Sequence, residues 1–171
     1  MGCDIHMYVE FRGARWSKET GWKCGDYFSI TDPTDPNCEP IREGLIEWRS
    51  YSLFAVLANV RNCYGEDAYP YISMPKGLPD DATEYTKREY ESWGIDAHSC
   101  SYLTMREIVE FHENCPSKDV FGNDILKPLI DRLIQRADEL NVIYDFEIEH
   151  PLKDDVLERL ENIRIVFWFD N

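Results

Sequence analysis

The sequence predicts an α+β fold, a single domain over residues 1–171 with a small, mostly antiparallel sheet packed with about four to five helices. Residues 4–11 alternate polar and apolar side chains, which is typical of a strand with one buried face. Residues 164–171 predict a second, largely apolar strand. Segments with helical spacing of apolar residues lie between the two, so we expect the terminal strands to be neighbours in the sheet.

Along the first half of the chain, residues 16–28 predict a hairpin that turns near 19–21. Residues 31–44 contain three prolines among acidic and amide side chains and predict a loop without regular structure. Ser52 is the predicted N-cap of a short helix over 53–60, whose apolar residues recur at helical spacing.

The second half begins with an irregular segment, residues 62–80, whose length is typical of functional loops. A charged helix over 81–93 is expected to end at Gly94, and residues 95–103 predict an extended segment.

Three further helices are predicted before the last strand. Thr104 and Glu107 form a capping box for a helix that runs to about residue 113. The longest helix covers 124–140, and a short one begins at Pro151.

The composition is that of a folded, acidic protein. Hydrophobic residues make up 43% of the 171 residues, enough for a sizeable core. The net charge of −15 argues against direct nucleic-acid binding, because phosphate contacts need Lys and Arg. Three alternatives fit such a surface: it attracts cations, it mimics a nucleic acid and blocks a basic protein, or it is merely solvated.

The sequence also predicts a protein of the cytoplasm that does not enter a membrane. No apolar stretch approaches the roughly 20 residues of a membrane span, and the first residues lack the features of a signal peptide. Six cysteines are present without a C-x-x-C pair, which argues against a zinc finger. We expect these thiols to be reduced.

The first strand carries a candidate metal site. Asp4 and His6 share its polar face with Tyr8 and Glu10, because side chains alternate along a strand. Carboxylate oxygen and imidazole nitrogen suit a divalent ion such as Zn, Mn or Mg. The alternative is a half-buried strand whose polar face lies in water.

A second histidine segment follows near residue 98. Asp96 and His98 share one face of an extended backbone. His98 is a candidate metal ligand or general base, and Asp96 is a candidate catalytic residue beside it. Ser99 and Ser101 are small and polar, so a ligand could approach the backbone there. The alternative is a histidine that is simply hydrogen-bonded at a helix entrance.

The remaining candidates come from the end of the last strand and from the ends of the first helix. Asp170 would approach Asp4 and His6 if the terminal strands pair, and would complete a mononuclear site. Arg49 and Arg61, with Asn59, are candidates to hold a phosphate or carboxylate group. The alternative is that each arginine pairs with a structural acid.

Several segments together resemble a family of uncharacterised proteins of bacteriophages and their bacterial hosts. The resemblance lies in Met-Gly-Cys-Asp-Ile-His at the start, residues 49–62, 75–81 and 96–104, and Phe-Trp-Phe-Asp-Asn at the end. The resemblance implies a phage or prophage protein in the cytoplasm of the host, but it does not imply any particular activity.

These observations lead to three functional hypotheses. The first is a metal-dependent hydrolase of a small phosphorylated or nucleotide substrate. The second is a non-enzymatic protein that counters host defence, either by sequestering a nucleotide signal or by blocking a host protein with its acidic surface. The third is a structural or regulatory protein whose polar segments only hold the sheet together.

Overall fold

The computed structural model describes residues 2–46, 48–62, 68–143 and 154–170. These residues form six strands and five helices, which confirms the predicted α+β class. The strands are β1 (Ile5–Phe11), β2 (Lys23–Cys24), β3 (Tyr27–Ser29), β4 (Ile41–Glu43), β5 (His98–Thr104) and β6 (Ile163–Phe169). The helices are α1 (Tyr51–Ala58), α2 (Glu84–Trp93), α3 (Met105–Asn114), α4 (Lys127–Glu139) and α5 (Asp154–Leu160), with a 3₁₀ turn at Gly94–Asp96.

The main sheet has four antiparallel strands in the order β2-β1-β6-β5. β1 and β6 pair along their whole length, from Ile5 opposite Phe169 to Phe11 opposite Ile163. The prediction that the terminal strands are neighbours is therefore confirmed. β3 and β4 form a separate two-stranded sheet.

Both faces of the main sheet are covered. One face packs on the large core, which includes Phe54 of α1, Ile108 of α3 and Leu133 of α4. The other face carries a smaller cluster of Tyr8, Cys100 and Trp168, against which the aromatic side chains of α2 pack. Every residue of β6 is buried as a result. The idea that the polar face of β1 lies in water is wrong, because Tyr8 and Glu10 are both buried.

Several predicted boundaries in the first half of the chain are wrong. No hairpin spans 16–28, because β2 pairs with β1 while β3 pairs with β4 across the proline-containing loop. The segment 31–44 therefore contains a strand at its end. Ser50 rather than Ser52 is the N-cap of α1, and it accepts the backbone N–H of Leu53.

In the second half of the chain, the observed boundaries of the helices lie closer to the predicted ones. Gly94 ends α2, although that helix begins only at Glu84, after the N-cap Thr83. The capping box of Thr104 and Glu107 is present at α3. The start of the last predicted helix, at 151–153, lies outside the described residues, and α5 is described from Asp154. No described helix is long and apolar enough to cross a membrane.

A charged network is buried between the sheet and the start of α2. Glu10 is fully buried and pairs with Arg164, which is 4% exposed, at 2.7 Å. Arg164 also donates to the carboxylate of Asp81 at 2.8 Å, and its guanidinium lies 3.9 Å from the ring centre of Trp22. Glu10 accepts the backbone N–H of Thr83 as well. The network thus attaches α2 to the two terminal strands.

This network makes stability depend on pH through Asp81. Burial acts to raise the pKa of Asp81, but the hydrogen bond and charge of Arg164 outweigh it, and the pKa lies below its ordinary value. A lowered pKa stabilises the fold above the unfolded-state pKa, and this stabilisation is lost as the pH falls through the folded-state pKa. The Asp81 side chain is 63% exposed, so we expect this stabilisation to be no more than about 1 kcal/mol.

We therefore expect Asp81→Asn to be less stable than the wild type at neutral pH, with a difference that shrinks toward zero below about pH 4. Urea denaturation at a series of pH values measures this difference. Asp80→Asn removes the same charge at the neighbouring exposed position and controls for net charge. A stability difference that stays constant with pH would contradict the assignment of the effect to the Asp81 carboxylate.

Candidate functional site

The start of β1, the end of β6 and the start of β5 meet at one end of the main sheet. Antiparallel pairing causes this, since Ile5 and His98 both lie opposite Phe169. The side chains gathered there are called the terminal cluster: Cys3, Asp4, His6, Arg49, Arg61, His98 and Asp170.

Asp170 is the centre of the terminal cluster. Its carboxylate accepts the backbone N–H of Asp4 at 2.7 Å and the Nε2 of His6 at 3.1 Å. The backbone N–H of Asp170 in turn donates to the carbonyl of Asp4 at 3.2 Å. The Nε2 of His98 lies 3.2 Å from the carbonyl oxygen of Asp170. The two imidazoles therefore contact different atoms of Asp170 from opposite faces of the sheet, since His6 lies opposite Trp168 of the smaller cluster and His98 lies opposite Phe169 of the large core.

His6 is held between a carboxylate and an aromatic ring. Its ring centre lies 4.0 Å from that of Trp93 at the end of α2, and 6.1 Å from that of Trp168. The side chains of His6 and Asp170 are 22% and 19% exposed, so both are partly enclosed and partly accessible to solvent. This partial enclosure strengthens electrostatic interactions relative to bulk water.

His98 is placed by an irregularity in β5. The pairing with β6 shifts between His98 and Ser101, and Ser99 adopts a positive φ of 51°. The hydroxyl of Ser99 lies 3.0 Å from Nδ1 of His98, while the ring stacks on Phe169 at 6.0 Å. A hydrogen bond on the second ring nitrogen is the usual way in which proteins orient a metal-ligating histidine.

Arg49 and Asp4 form a bidentate ion pair beside the histidines. The Nε and Nη2 of Arg49 each donate to a different oxygen of Asp4, both at 2.7 Å. This hydrogen bond holds the pKa of Asp4 below its ordinary value, and burial opposes it only in part. Pairing with an acid, the alternative considered for both arginines, is thus what the structure shows for Arg49.

Cys3 lies next to His98, and Arg61 contacts Cys3. The sulfur of Cys3 is 4.0 Å from Nε2 of His98, and Cys3 is completely buried. Burial raises the pKa of Cys3, while a hydrogen bond from Arg61 acts to lower it and does not prevail. Cys3 is therefore a thiol at neutral pH and is not an activated nucleophile. Arg61 itself is exposed and has a positive φ of 54°.

Three candidate residues are not brought into the terminal cluster. Asp96 is exposed on the 3₁₀ turn before β5. Asn59 is the C-cap of α1 and accepts a hydrogen bond from Asn62, which holds the loop at Tyr69. Ser101 is fully buried, and its hydroxyl accepts the backbone N–H of Lys76. The side chains of Asn59 and Ser101 thus support the local fold.

Two neighbours of the site were missed by the sequence reasoning. The sequence places Trp93 at the end of a charged helix, and no pattern in it indicates that the ring reaches His6. Gly2 has no side chain, and a Cβ there would lie 2.3 Å from Nη1 of Arg49. The glycine before the Cys-Asp-Ile-His segment is the sequence signal for this contact, because another group can approach the backbone closely only where no side chain is present.

No group of three or more His, Cys, Asp or Glu side chains in the described part of the chain is arranged to hold a metal ion as it stands. The carboxylate of Asp4 is engaged by Arg49, which leaves two imidazoles and Asp170 as the nearest donors. A comparison with known protein families, curated proteins and solved structures finds no match for this chain.

Proposed function

We propose that the terminal cluster binds a divalent cation together with a small phosphorylated molecule or nucleotide, and that the protein is a metal-dependent hydrolase. The observation that carries this proposal is that both imidazoles contact Asp170, His6 at its carboxylate and His98 at its backbone carbonyl. Nitrogen and oxygen donors of this kind suit Zn or Mn better than Mg.

Three physical arguments support a cation near these side chains. The 3.1 Å between Nε2 of His6 and the Asp170 carboxylate is a spacing that two ligands of one small cation also adopt. Ser99 fixes the ring of His98 through its other nitrogen. The overall charge of −15 attracts cations to the surface.

The positions of these groups indicate a separate role for each of them. A bound divalent cation would neutralise phosphoryl oxygens and make water more acidic. When no cation is bound, the Asp170 carboxylate orients the imidazole of His6, so that little further ordering of this ring is needed when the cation binds. Arg49, which pairs with Asp4, and Arg61, which contacts Cys3, would supply the positive charge that a phosphate group requires.

Cation binding tests the proposal directly. Wild-type protein purified without a metal-affinity column should contain stoichiometric Zn or Mn, and His6→Ala and His98→Ala should each lose more than about 100-fold in affinity. The two measurements are elemental analysis and calorimetric titration. His112→Ala is the matched control, because this histidine on α3 is exposed to a similar degree and contacts Asp124 outside the cluster.

A protein that binds no cation in any of these samples would contradict the proposal. If the cation binds, the loaded protein is incubated with a panel of nucleotides and phosphomonoesters, and release of phosphate is measured. A nucleotide that binds and is recovered unchanged would favour the second hypothesis, a protein that sequesters a signal molecule, over hydrolysis.

A further inference from the structure

A buried hydrogen-bond donor without a partner lies on the face of the main sheet beneath α2. Trp168 is completely buried in the smaller cluster, and its indole N–H has no acceptor in the described part of the chain. The ring of Tyr90 lies edge-on at 5.2 Å, a contact that is much weaker than a hydrogen bond. Because almost all buried donors in proteins are paired, this unpaired N–H indicates a place where a ligand supplies the acceptor.

The surroundings of Trp168 suit a flat ligand. The ring of Tyr8 stacks on the indole at 4.7 Å and 13°, and the imidazole of His6 lies 6.1 Å away at 29°. Three planar side chains on this face of the sheet are thus roughly parallel. An acceptor for the indole N–H lies in the plane of the indole, so a flat ligand there packs between the sheet and the aromatic side chains of α2, among them Tyr90 and Trp93.

The helix that covers Trp168 is lightly packed. Thr86 alone is buried among the ten residues of α2. The start of α2 is fixed to the sheet through Glu10, which accepts the N–H of Thr83. The helix ends at Gly94, which has a positive φ of 54° and where a Cβ would meet no described atom within 4 Å. A helix that is fixed at its start and followed by an unpacked glycine can swing away from the sheet at its end.

We propose that α2 is a lid over a binding site for a planar heteroaromatic ring, and that this ring accepts the indole N–H of Trp168. A purine base has the required chemistry, since it is flat, stacks on aromatic side chains and carries ring nitrogens that accept hydrogen bonds. A purine nucleoside has no charge, so the net charge of −15 does not repel it. The site goes beyond the proposed function, because it needs no cation.

Movement of α2 gives a dissolved ligand its access to a buried donor. Trp168 has no exposed surface while Tyr90 and Trp93 pack over it, so the ligand enters when the end of α2 lifts and the contact of Trp93 with His6 opens. A bound ligand fills the space beneath the closed helix and keeps it closed. Binding must therefore slow the amide hydrogen exchange of α2.

Calorimetric titration of the full chain with adenosine and with guanosine, in buffer that contains a chelator, tests the site. Trp168→Phe keeps an aromatic ring but removes the N–H, and it should bind the nucleosides at least about tenfold more weakly than the wild type. Trp48→Phe is the matched control, because it removes an indole N–H from a partly exposed ring that packs on Arg132, and it should keep the wild-type affinity. Indole, a flat donor without a ring acceptor, should also bind the wild type at least about tenfold more weakly than adenosine.

Hydrogen exchange of the wild-type protein tests the lid without any substitution. Adenosine should slow exchange in α2 at least about fivefold and leave α4 unchanged. Wild-type protein that binds neither nucleoside at millimolar concentration, equal affinity of Trp168→Phe and the wild type, or protection of elements other than α2 would each overturn the proposal. Because the chelator removes free cations, these outcomes do not depend on the cation binding proposed for the terminal cluster.

Discussion

Glu10→Ala is expected to destabilise the fold by about 3–5 kcal/mol, measured by chemical denaturation. The substitution leaves the guanidinium of Arg164, which is 4% exposed, without its buried partner at 2.7 Å. It also removes the acceptor for the backbone N–H of Thr83, the N-cap residue of α2. Removing the partner of a buried charge destabilises a fold far more than removing the partner of an exposed charge, because water cannot replace the lost hydrogen bonds in the interior.

Asp131→Ala is the matched control for this prediction. It also removes the carboxylate of an ion pair, with Lys127 at 2.9 Å, but both side chains are more than half exposed. We expect a change within about 0.5 kcal/mol. If Glu10→Ala costs no more than Asp131→Ala, then water reaches Arg164 and the network does not attach α2 to the sheet.

Phe169→Ala is expected to destabilise the fold by a similar amount, about 3–5 kcal/mol, and also to weaken cation binding. Phe169 is completely buried at the end of β6, and its ring centre lies 5.1 Å from that of Phe54 in the core. On its other side the ring stacks with His98 at 6.0 Å. Truncation opens a cavity in the core and removes the surface on which the imidazole rests.

Phe169→Leu separates these two consequences. Leucine keeps much of the buried volume, so we expect a loss below about 1.5 kcal/mol, but it has no flat ring for His98. Phe167→Leu is the matched control, because Phe167 is equally buried and its ring packs on Phe169 instead of on His98. Calorimetric titration with Mn²⁺ should show weaker binding for Phe169→Leu than for Phe167→Leu. Equal binding would mean that Phe169 does not position His98.

The pairing of the terminal strands was predictable because it depends on local patterns. Alternation in β1 and a continuous apolar run in β6 each indicate a strand, and two strands at the ends of a chain with helices between them are expected to meet. That pairing was also enough to predict the approach of Asp170 to His6, which the structure shows at 3.1 Å. The capping box at Thr104 was predictable for the same reason, since its partners are neighbours in the chain.

The short strands were harder to predict. Residues 23–24 pair with β1, although the pattern around 16–28 indicates a local hairpin. Two or three residues carry too little pattern to outweigh tertiary contacts, so their partners depend on the packing of the whole domain.

By itself, then, the sequence determined the fold class, the pairing of β1 with β6 and the meeting of His6 with Asp170, because period and polarity are properties of short segments. Only the tertiary structure decided that Arg49 holds Asp4, 45 residues away, and that Glu10 is buried against Arg164, 154 residues away. Side-chain type does not specify a partner for a charge when many acids are available. The partner is chosen by which groups the packed sheet and helices bring together and remove from water.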